Sequence, residues 1–156
     1  MTRSVSIAPV RKSIAVKAPQ AHAFEVFTSG LGRWWPRKAT IGNPPLKMVV
    51  METRLGGRWY EECEDGSQTN VGRILVWEPP QRFVVSWDIN SQWKPDTMVS
   101  SEVEVRFIAD GPDATLVELE HRNFERMGAE AGASMRKDVE GGWPGILEDF
   151  RHEAEA

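Results

Sequence analysis

Alternation between apolar and polar residues predicts β-strands along most of the chain before its C-terminal region. In residues 10–18 the apolar positions recur at every second residue, and in Ser101–Ala109 they alternate with charged residues. This two-residue period is typical of a strand with one buried and one solvated face. Leu46–Met51 and Thr115–Arg122 are two further candidate strands.

Three more strands are predicted as a meander over residues 56–87. Asp65-Gly66 supplies the positive φ that a tight turn between antiparallel strands requires. Pro79-Pro80 cannot continue a ladder because proline lacks the N–H donor. These two breaks divide the segment into three consecutive strands, so the sequence predicts seven in all.

An early helix is predicted after Pro19, which fits the first turn of a helix. Apolar residues recur there at three- and four-residue intervals from Ala21 to Leu31, and Gly30 and Gly32 are expected to end the helix. The aromatic segment Trp34-Trp35-Pro36 then forms a short connection.

The C-terminal region, residues 124–156, is rich in good helix formers and poor in β-branched residues. Trp143, Ile146, Leu147 and Phe150 lie on one apolar stripe of a helix. Gly141-Gly142 and Pro144 interrupt the pattern, so we expect a short helix, a break or kink, and a terminal helix that starts near Trp143.

Composition and charge exclude several classes of function. Lys and Arg total 19 against 23 Asp and Glu, a formal net charge of −4, with both signs interspersed. That balance argues against nucleic-acid and anionic-membrane partners. Cys63 is the only cysteine, and no segment is typical of a signal peptide or a membrane span. We therefore expect a soluble, cytoplasmic protein without membrane insertion.

Several motifs together resemble one known family. They are Gly56-Gly57 with Trp59, Asp65-Gly66, Gly72 with Glu78-Pro79-Pro80, Trp87, and Gly142-Trp143. The chain resembles the activator of heat-shock protein ATPase homologue family of the START-like, or SRPBCC, superfamily. The resemblance extends from about Arg11 to His152.

The resemblance implies an α+β helix-grip fold. In that fold an antiparallel sheet of about seven strands curves around a long C-terminal helix, with short helices after the first strand and an apolar cavity between sheet and helix. It further implies that residues 1–156 form one START-like domain with an ordered core of about 11–152.

Glu61 is the first candidate site residue, because strand alternation puts it on the face of Trp59 and Cys63, and the family pattern turns that face toward the cavity. A buried carboxylate is costly unless it is paired. We therefore expect Glu61 to meet a cation such as Arg73, or to act as a general acid or ligand-orienting group. The alternative is a solvated Glu61 at the open end of the sheet.

His121 shares a face with Val117 and Leu119, so an inward imidazole could act as a general base or hydrogen-bond a ligand carbonyl. A satisfied core histidine is the more common outcome. Cys63 is a reactive thiol if it lines the cavity and an inert small hydrophobe otherwise. The scattered positions of the three histidines argue against a metal site, and no cofactor is expected.

Seven tryptophans are an unusual number for a chain of this length. Large aromatic rings can fill the hydrophobic core or line a pocket for flat apolar ligands. The ligand-binding candidates are Trp34, Trp35, Trp59, Glu61, Cys63, Arg73, Trp87, His121 and Trp143.

The function predicted first is binding of a small, mainly apolar, lipid-like or aromatic ligand by a monomer or weak homodimer. No nucleophile motif, phosphate loop or metal-ligand spacing indicates catalysis. One alternative is an enzyme of polyketide cyclase or hydrolase type that uses Glu61, Arg73 and His121 on a bound carbonyl compound. The other is a co-chaperone-like contact with a heat-shock ATPase.

Overall fold

A computed structural model of the chain describes residues 6–37, 41–42 and 45–156. Its strands form one seven-stranded sheet in the order β1-β7-β6-β5-β4-β3-β2, and every neighbouring pair is antiparallel. The strands are β1 Val10–Val16, β2 Leu46–Met51, β3 Arg58–Cys63, β4 Gln68–Glu78, β5 Arg82–Trp87, β6 Ser101–Ala109 and β7 Thr115–Arg122.

The helices lie against the inner face of this sheet. They are α1 Gln20–Phe27, α2 Leu31–Trp34 and the long C-terminal α3 Ala129–Ala154, with 3-10 turns at Thr97–Val99 and Phe124–Met127. Helix α3 contacts β1, α1 and α2. The order of elements and the long helix confirm the predicted helix-grip fold, and no helix among the described residues is long and apolar enough to cross a bilayer.

The predicted early helix is shorter than expected. It ends at Phe27, and α2 is a separate helix of four residues. The hydroxyl of Thr28 donates a hydrogen bond of 2.8 Å to the carbonyl of Phe24. Such local side-chain bonds compete with helix propagation. Trp34 therefore ends a short helix instead of lying in an irregular connection.

The predicted break in the C-terminal region is wrong, because α3 runs without interruption through Pro144. Its buried residues include Met135, Val139, Trp143 and Leu147, a stripe with the same four-residue spacing on both sides of the proline. Most helical stability in proteins comes from packing of such a stripe. Here burial outweighs the hydrogen bond that proline cannot donate.

Gly72 allows β4 and β5 to approach each other closely. The register between β3 and β4 shifts next to it, after Trp59. A Cβ atom at Gly72 would lie 1.7 Å from the carbonyl oxygen of Ser86, so no other residue fits there without moving the backbone. A bulge of this kind increases the local curvature of a sheet, and Val71, beside Gly72, is buried on the inner face.

Two groups of rings fill the space between sheet and helices. One group, which we name the phenylalanine end, consists of Phe24, Phe27, Phe83, Phe107 and Phe150. The other, the tryptophan end, consists of Trp35, Trp59, Trp87 and Trp143. All nine side chains are buried.

Candidate functional site

A cavity of about 350 Å³ lies between the tryptophan end and helix α3. Its volume falls in the range of small-molecule pockets, which begins at about 300 Å³. Its described lining residues are Trp35, Ile41, Trp59, Glu61, Val71, Trp87, Trp93, Asp138, Val139, Gly142, Trp143 and Ile146.

The four rings of the tryptophan end form a closed circuit of contacts. Ring centroids are 5.3 Å apart for Trp35 and Trp59, 5.6 Å for Trp59 and Trp87, 6.0 Å for Trp87 and Trp143, and 6.2 Å for Trp143 and Trp35. The rings are tilted or edge-to-face, which is the favoured geometry for aromatic pairs. They give the cavity a rigid, mainly apolar wall.

The indole N–H groups of this wall divide into two classes. Trp143 Nε1 donates to Nδ1 of His121 at 3.1 Å. Trp59 Nε1 and Trp87 Nε1 are buried and have no acceptor among the described residues. Buried donors without a partner are rare and costly, at about 1–3 kcal/mol each. Two in the wall of one cavity make it a candidate for a ligand that carries acceptor atoms.

Glu61 lines the cavity and is only 1% exposed. Its carboxylate accepts hydrogen bonds from two consecutive backbone N–H groups. Ile41 N lies 2.9 Å from both carboxylate oxygens, and Gly42 N lies 2.8 Å from Oε1. Glu61 is therefore inward, as strand alternation and the family resemblance together predict, and is held by peptide dipoles instead of lying solvated at the open end of the sheet.

Arg73 does not meet Glu61, so the pairing expected for these two residues is not formed. The Arg73 guanidinium is half-exposed and lies 3.0 Å from the carboxylate of Asp88. Its backbone N–H donates to the hydroxyl of Ser86, which in turn donates to Asp88. Ser86 and Asp88 face away from the inward residue Trp87 between them. Arg73 thus belongs to the outer face of the sheet and does not line the cavity.

His121 is fully buried between two partners. Because indole nitrogen can only donate, Nδ1 must accept from Trp143, and the proton then resides on Nε2, 2.9 Å from the hydroxyl of Ser101. Burial lowers the pKa of His121 to about 3, so the imidazole is neutral. Both ring nitrogens are engaged, and His121 is not among the residues that line the cavity. The structure thus brings Glu61 and His121 to the same face of the sheet but gives the imidazole no free nitrogen for a ligand.

Trp34 and Cys63 are buried but lie outside the cavity lining. Trp34 donates its N–H to the carbonyl of Val26 at 2.8 Å and packs against Phe27 and Phe150. It extends the phenylalanine end. Of the predicted ligand-binding set, the cavity brings together Trp35, Trp59, Glu61, Trp87 and Trp143.

Trp93 and Asp138 line the cavity, although no sequence pattern groups them. The side chain of Asn90 accepts hydrogen bonds from the backbone N–H groups of Gln92 and Lys94, which forms a tight turn with Trp93 at a φ of 59°. Trp93 Nε1 then lies 3.3 Å from the carboxylate of Asp138 on α3. The positive φ of a bulky residue is a useful signal, but it is visible only in the structure.

Gly142, Val139 and Ile146 are the other contributions of α3, and Val71 and Ile41 complete the wall. The helical spacing of Val139, Trp143 and Ile146 could have identified them once the helix was known to be continuous. Among the described residues no group of three or more His, Cys, Asp or Glu side chains could hold a metal ion.

The outer face of the sheet carries a different kind of carboxylate. Glu104 is 3% exposed and contacts three guanidinium groups, those of Arg82, Arg106 and Arg122. Burial acts to raise the pKa of Glu104, but hydrogen bonds from the three arginines outweigh it and lower the pKa to about 2. A concavity of about 250 Å³ beside this cluster is lined by charges of both signs. The carboxylate and guanidinium groups of this cluster, which spans β5, β6 and β7, therefore pair with each other.

Comparison with known proteins assigns the chain to a family. The family model described as Activator of Hsp90 ATPase homolog 1-like protein matches residues 17–155. Among curated protein sequences no match was found.

Two solved structures resemble the chain in both sequence and fold. The anthrahydroquino-gamma-pyrone synthase Txn09, complexed with SUM, is 38% identical over 94% of this chain and 97% of its own, with a TM-score of 0.66. The self-sacrificing resistance protein CalC from Micromonospora echinospora is 33% identical over 94% of this chain and 93% of its own, with a TM-score of 0.67. CalU16 from the same organism, 24% identical with a TM-score of 0.61 and 91% of this chain and 73% of its own covered, supports the fold alone.

Proposed function

The chain belongs to the Activator of Hsp90 ATPase homolog 1-like family of the START-like, or SRPBCC, superfamily, and from that premise we propose that it binds a small, mainly apolar molecule in its tryptophan-walled cavity. Proteins of this fold typically bind hydrophobic ligands. The observation that carries the proposal is the cavity itself, about 350 Å³ in volume and bounded by five tryptophans, four aliphatic side chains and few polar groups.

The shape and chemistry of the wall favour a flat aromatic compound over an acyl chain. Indole rings offer broad rigid faces, and stacking on them is most favourable for another π-system. The N–H groups of Trp59 and Trp87 add donors that a carbonyl or hydroxyl oxygen of such a compound could satisfy. The name of Txn09, a synthase of an anthrahydroquinone-type product, agrees with this class of ligand.

Gly142 offers a direct test because it lines the cavity and a Cβ atom there would meet nothing within 4 Å. We expect Gly142→Leu to occupy the cavity without a clash. The substitution should not lower thermal stability, since leucine favours a helix over glycine by roughly 0.5–1 kcal/mol. Ligand-induced stabilisation and any co-purified mass seen for the natural protein in native mass spectrometry should disappear.

The matched control is Gly141→Leu, since Gly141 is the preceding residue of the same helix, exposed, equally free of contacts and outside the lining. This variant should gain the same helical propensity and keep ligand binding. Equal binding by both leucine variants and the natural protein would contradict the cavity as the binding site. Contact with a heat-shock ATPase, tested by pull-down, would then be the next interpretation.

Catalysis on the bound compound is the second candidate, because 38% identity over nearly the whole chain links it to a synthase. Glu61 would be the acid, base or orienting group, since it is the buried titratable residue of the lining. His121 would only position Trp143, because both its nitrogens are engaged. Mass spectrometry of a bound compound before and after incubation separates the two candidates, since a carrier returns it unchanged.

A further inference from the structure

Among the described residues, the charged side chains that line the cavity are all acidic. Its described lining contains two carboxylates, Glu61 and Asp138, and no lysine, arginine or histidine. Asp138 is exposed at the rim beside Trp93, whereas Glu61 is buried. A negatively charged ligand placed in this cavity would meet charge of its own sign without a cation from the described wall.

The carboxylate of Glu61 is held by hydrogen bonds alone. Its described partners are the N–H groups of Ile41 and Gly42, and no ion pair of the described residues includes it. Glu104 on the outer face, by contrast, has three arginine partners. A buried carboxylate that lacks a cation is stabilised when a cation binds next to it, because the interaction is strong where water is excluded.

The rings around Glu61 complement the same kind of ligand. Tryptophan has the most favourable face for a cation, through its quadrupole, and each contact contributes about 0.5–2 kcal/mol. Five tryptophans line the cavity, and four of them form the closed circuit of the tryptophan end.

From these observations we infer that the ligand is an aromatic cation, an apolar aromatic ring system bearing a protonated aliphatic amine or a quaternary ammonium group that binds Glu61 and the tryptophan faces. The inference rests on the proposed binding function and narrows its ligand class. It selects against fatty acids and aromatic carboxylates, which share the apolar body but carry the opposite charge.

Three probes that share a benzyl group test the charge preference. Benzyltrimethylammonium is the cation, neopentylbenzene is its neutral isostere with carbon in place of nitrogen, and phenylacetate is an anion with the same ring. Each is titrated against the full chain, with quenching of tryptophan fluorescence and the shift in melting temperature as readouts. We expect the cation to bind at least roughly tenfold more tightly than the neutral isostere, and phenylacetate to bind most weakly.

Glu61→Gln tests whether the preference comes from this carboxylate. A glutamine oxygen at the position of Oε1 keeps one hydrogen bond each from Ile41 and Gly42, whereas the amide NH2 at the position of Oε2 loses the second bond from Ile41. The substitution thus removes the charge and keeps the two bonds to Oε1. The ratio of cation to neutral affinity should fall by roughly tenfold. Glu62→Gln is the matched control, because Glu62 lies on the opposite face of the same strand and pairs with Lys47. In Glu62→Gln the ratio of cation to neutral affinity should not change.

The outcomes separate the two proposals. Equal affinity for cation and neutral isostere, or tighter binding of phenylacetate, overturns the cation inference and leaves apolar binding intact. If Glu61→Gln still binds the cation more tightly than the neutral isostere by the same ratio, the inference that Glu61 binds the cation is also overturned. Failure of all three probes to bind, together with no stabilisation by larger neutral aromatic compounds, overturns apolar binding and the inference with it.

Discussion

The phenylalanine end and the tryptophan end lie on the same inner face of the sheet, yet one is solid and the other encloses space. At the phenylalanine end the ring centroids of Phe27 and Phe150 are 4.8 Å apart, and a void of only about 10 Å³ lies between the two ends. At the tryptophan end the rings border a cavity of about 350 Å³.

The difference follows from the chemistry of the rings. Phenylalanine has no polar atom, so it packs closely from every side. Each tryptophan carries one donor that needs a partner when it is buried. Trp34 and Trp143 find acceptors within the protein, whereas Trp59 and Trp87 do not among the described residues. The phenylalanine end should therefore determine stability, and the tryptophan end ligand binding.

The largest expected effect is at the phenylalanine end. Phe150→Ala should lower the free energy of unfolding by roughly 3–5 kcal/mol, because Phe150 is fully buried and joins α3 to Phe27 and Trp34. Chemical denaturation measures the loss. Ile146→Ala, half-buried at the existing cavity on the same helix, should cost less than half as much. Equal losses would remove the distinction between the two ends.

A smaller effect, dependent on pH, is expected from His121, which packs against Trp87 and Trp143 of the tryptophan end. The folded-state pKa of His121 is lowered by burial to about 3, whereas an unfolded histidine has a pKa of about 6.5. Below pH 6.5 His121 binds a proton in the unfolded chain but not in the native protein. The free energy of unfolding therefore falls as the pH is lowered. The slope should approach about 1.4 kcal/mol per pH unit between pH 6 and pH 5.

Denaturation midpoints from pH 7 to pH 5 measure this slope. The pKa of Glu104 is lowered from 4.5 to about 2, so its stabilising contribution is lost only below pH 4.5, outside that window. His121→Gln should flatten the slope. A natural protein with no slope would mean that His121 is protonated in the folded state and that water reaches it beyond the ring of tryptophans.

The smallest effect compares one substitution at the two ends. Trp34→Phe removes the donor to the carbonyl of Val26, whereas Trp59→Phe removes a donor with no acceptor among the described residues. Both substitutions delete the same atoms, so packing losses are similar. Trp34→Phe should cost about 1–2 kcal/mol more in denaturation experiments. A larger loss for Trp59→Phe would show that its N–H has a partner and would weaken the case for ligand acceptors.

Strand alternation assigned the faces of β3 and β7 correctly, but it did not show that Arg73 in β4 faces outward. The period of two correctly put Glu61 and Cys63 on the inner side of β3 and His121 on the inner side of β7. It could not identify contacts between elements. Glu61 is bound by Ile41 and Gly42, which lie 19 to 20 residues earlier in the chain, and Trp93 reaches Asp138 across 45 residues.

Local periodicity and composition predicted the strands, most of their buried faces and the aromatic character of the interior, and the motifs that carry the resemblance identified the family. The packed fold established that α3 continues through Pro144, that Arg73 lies on the outer face, and that Glu61 is held by peptide groups without an arginine. Those outcomes depend on burial and on close approach between segments distant in sequence, and such free-energy terms are absent from any local pattern.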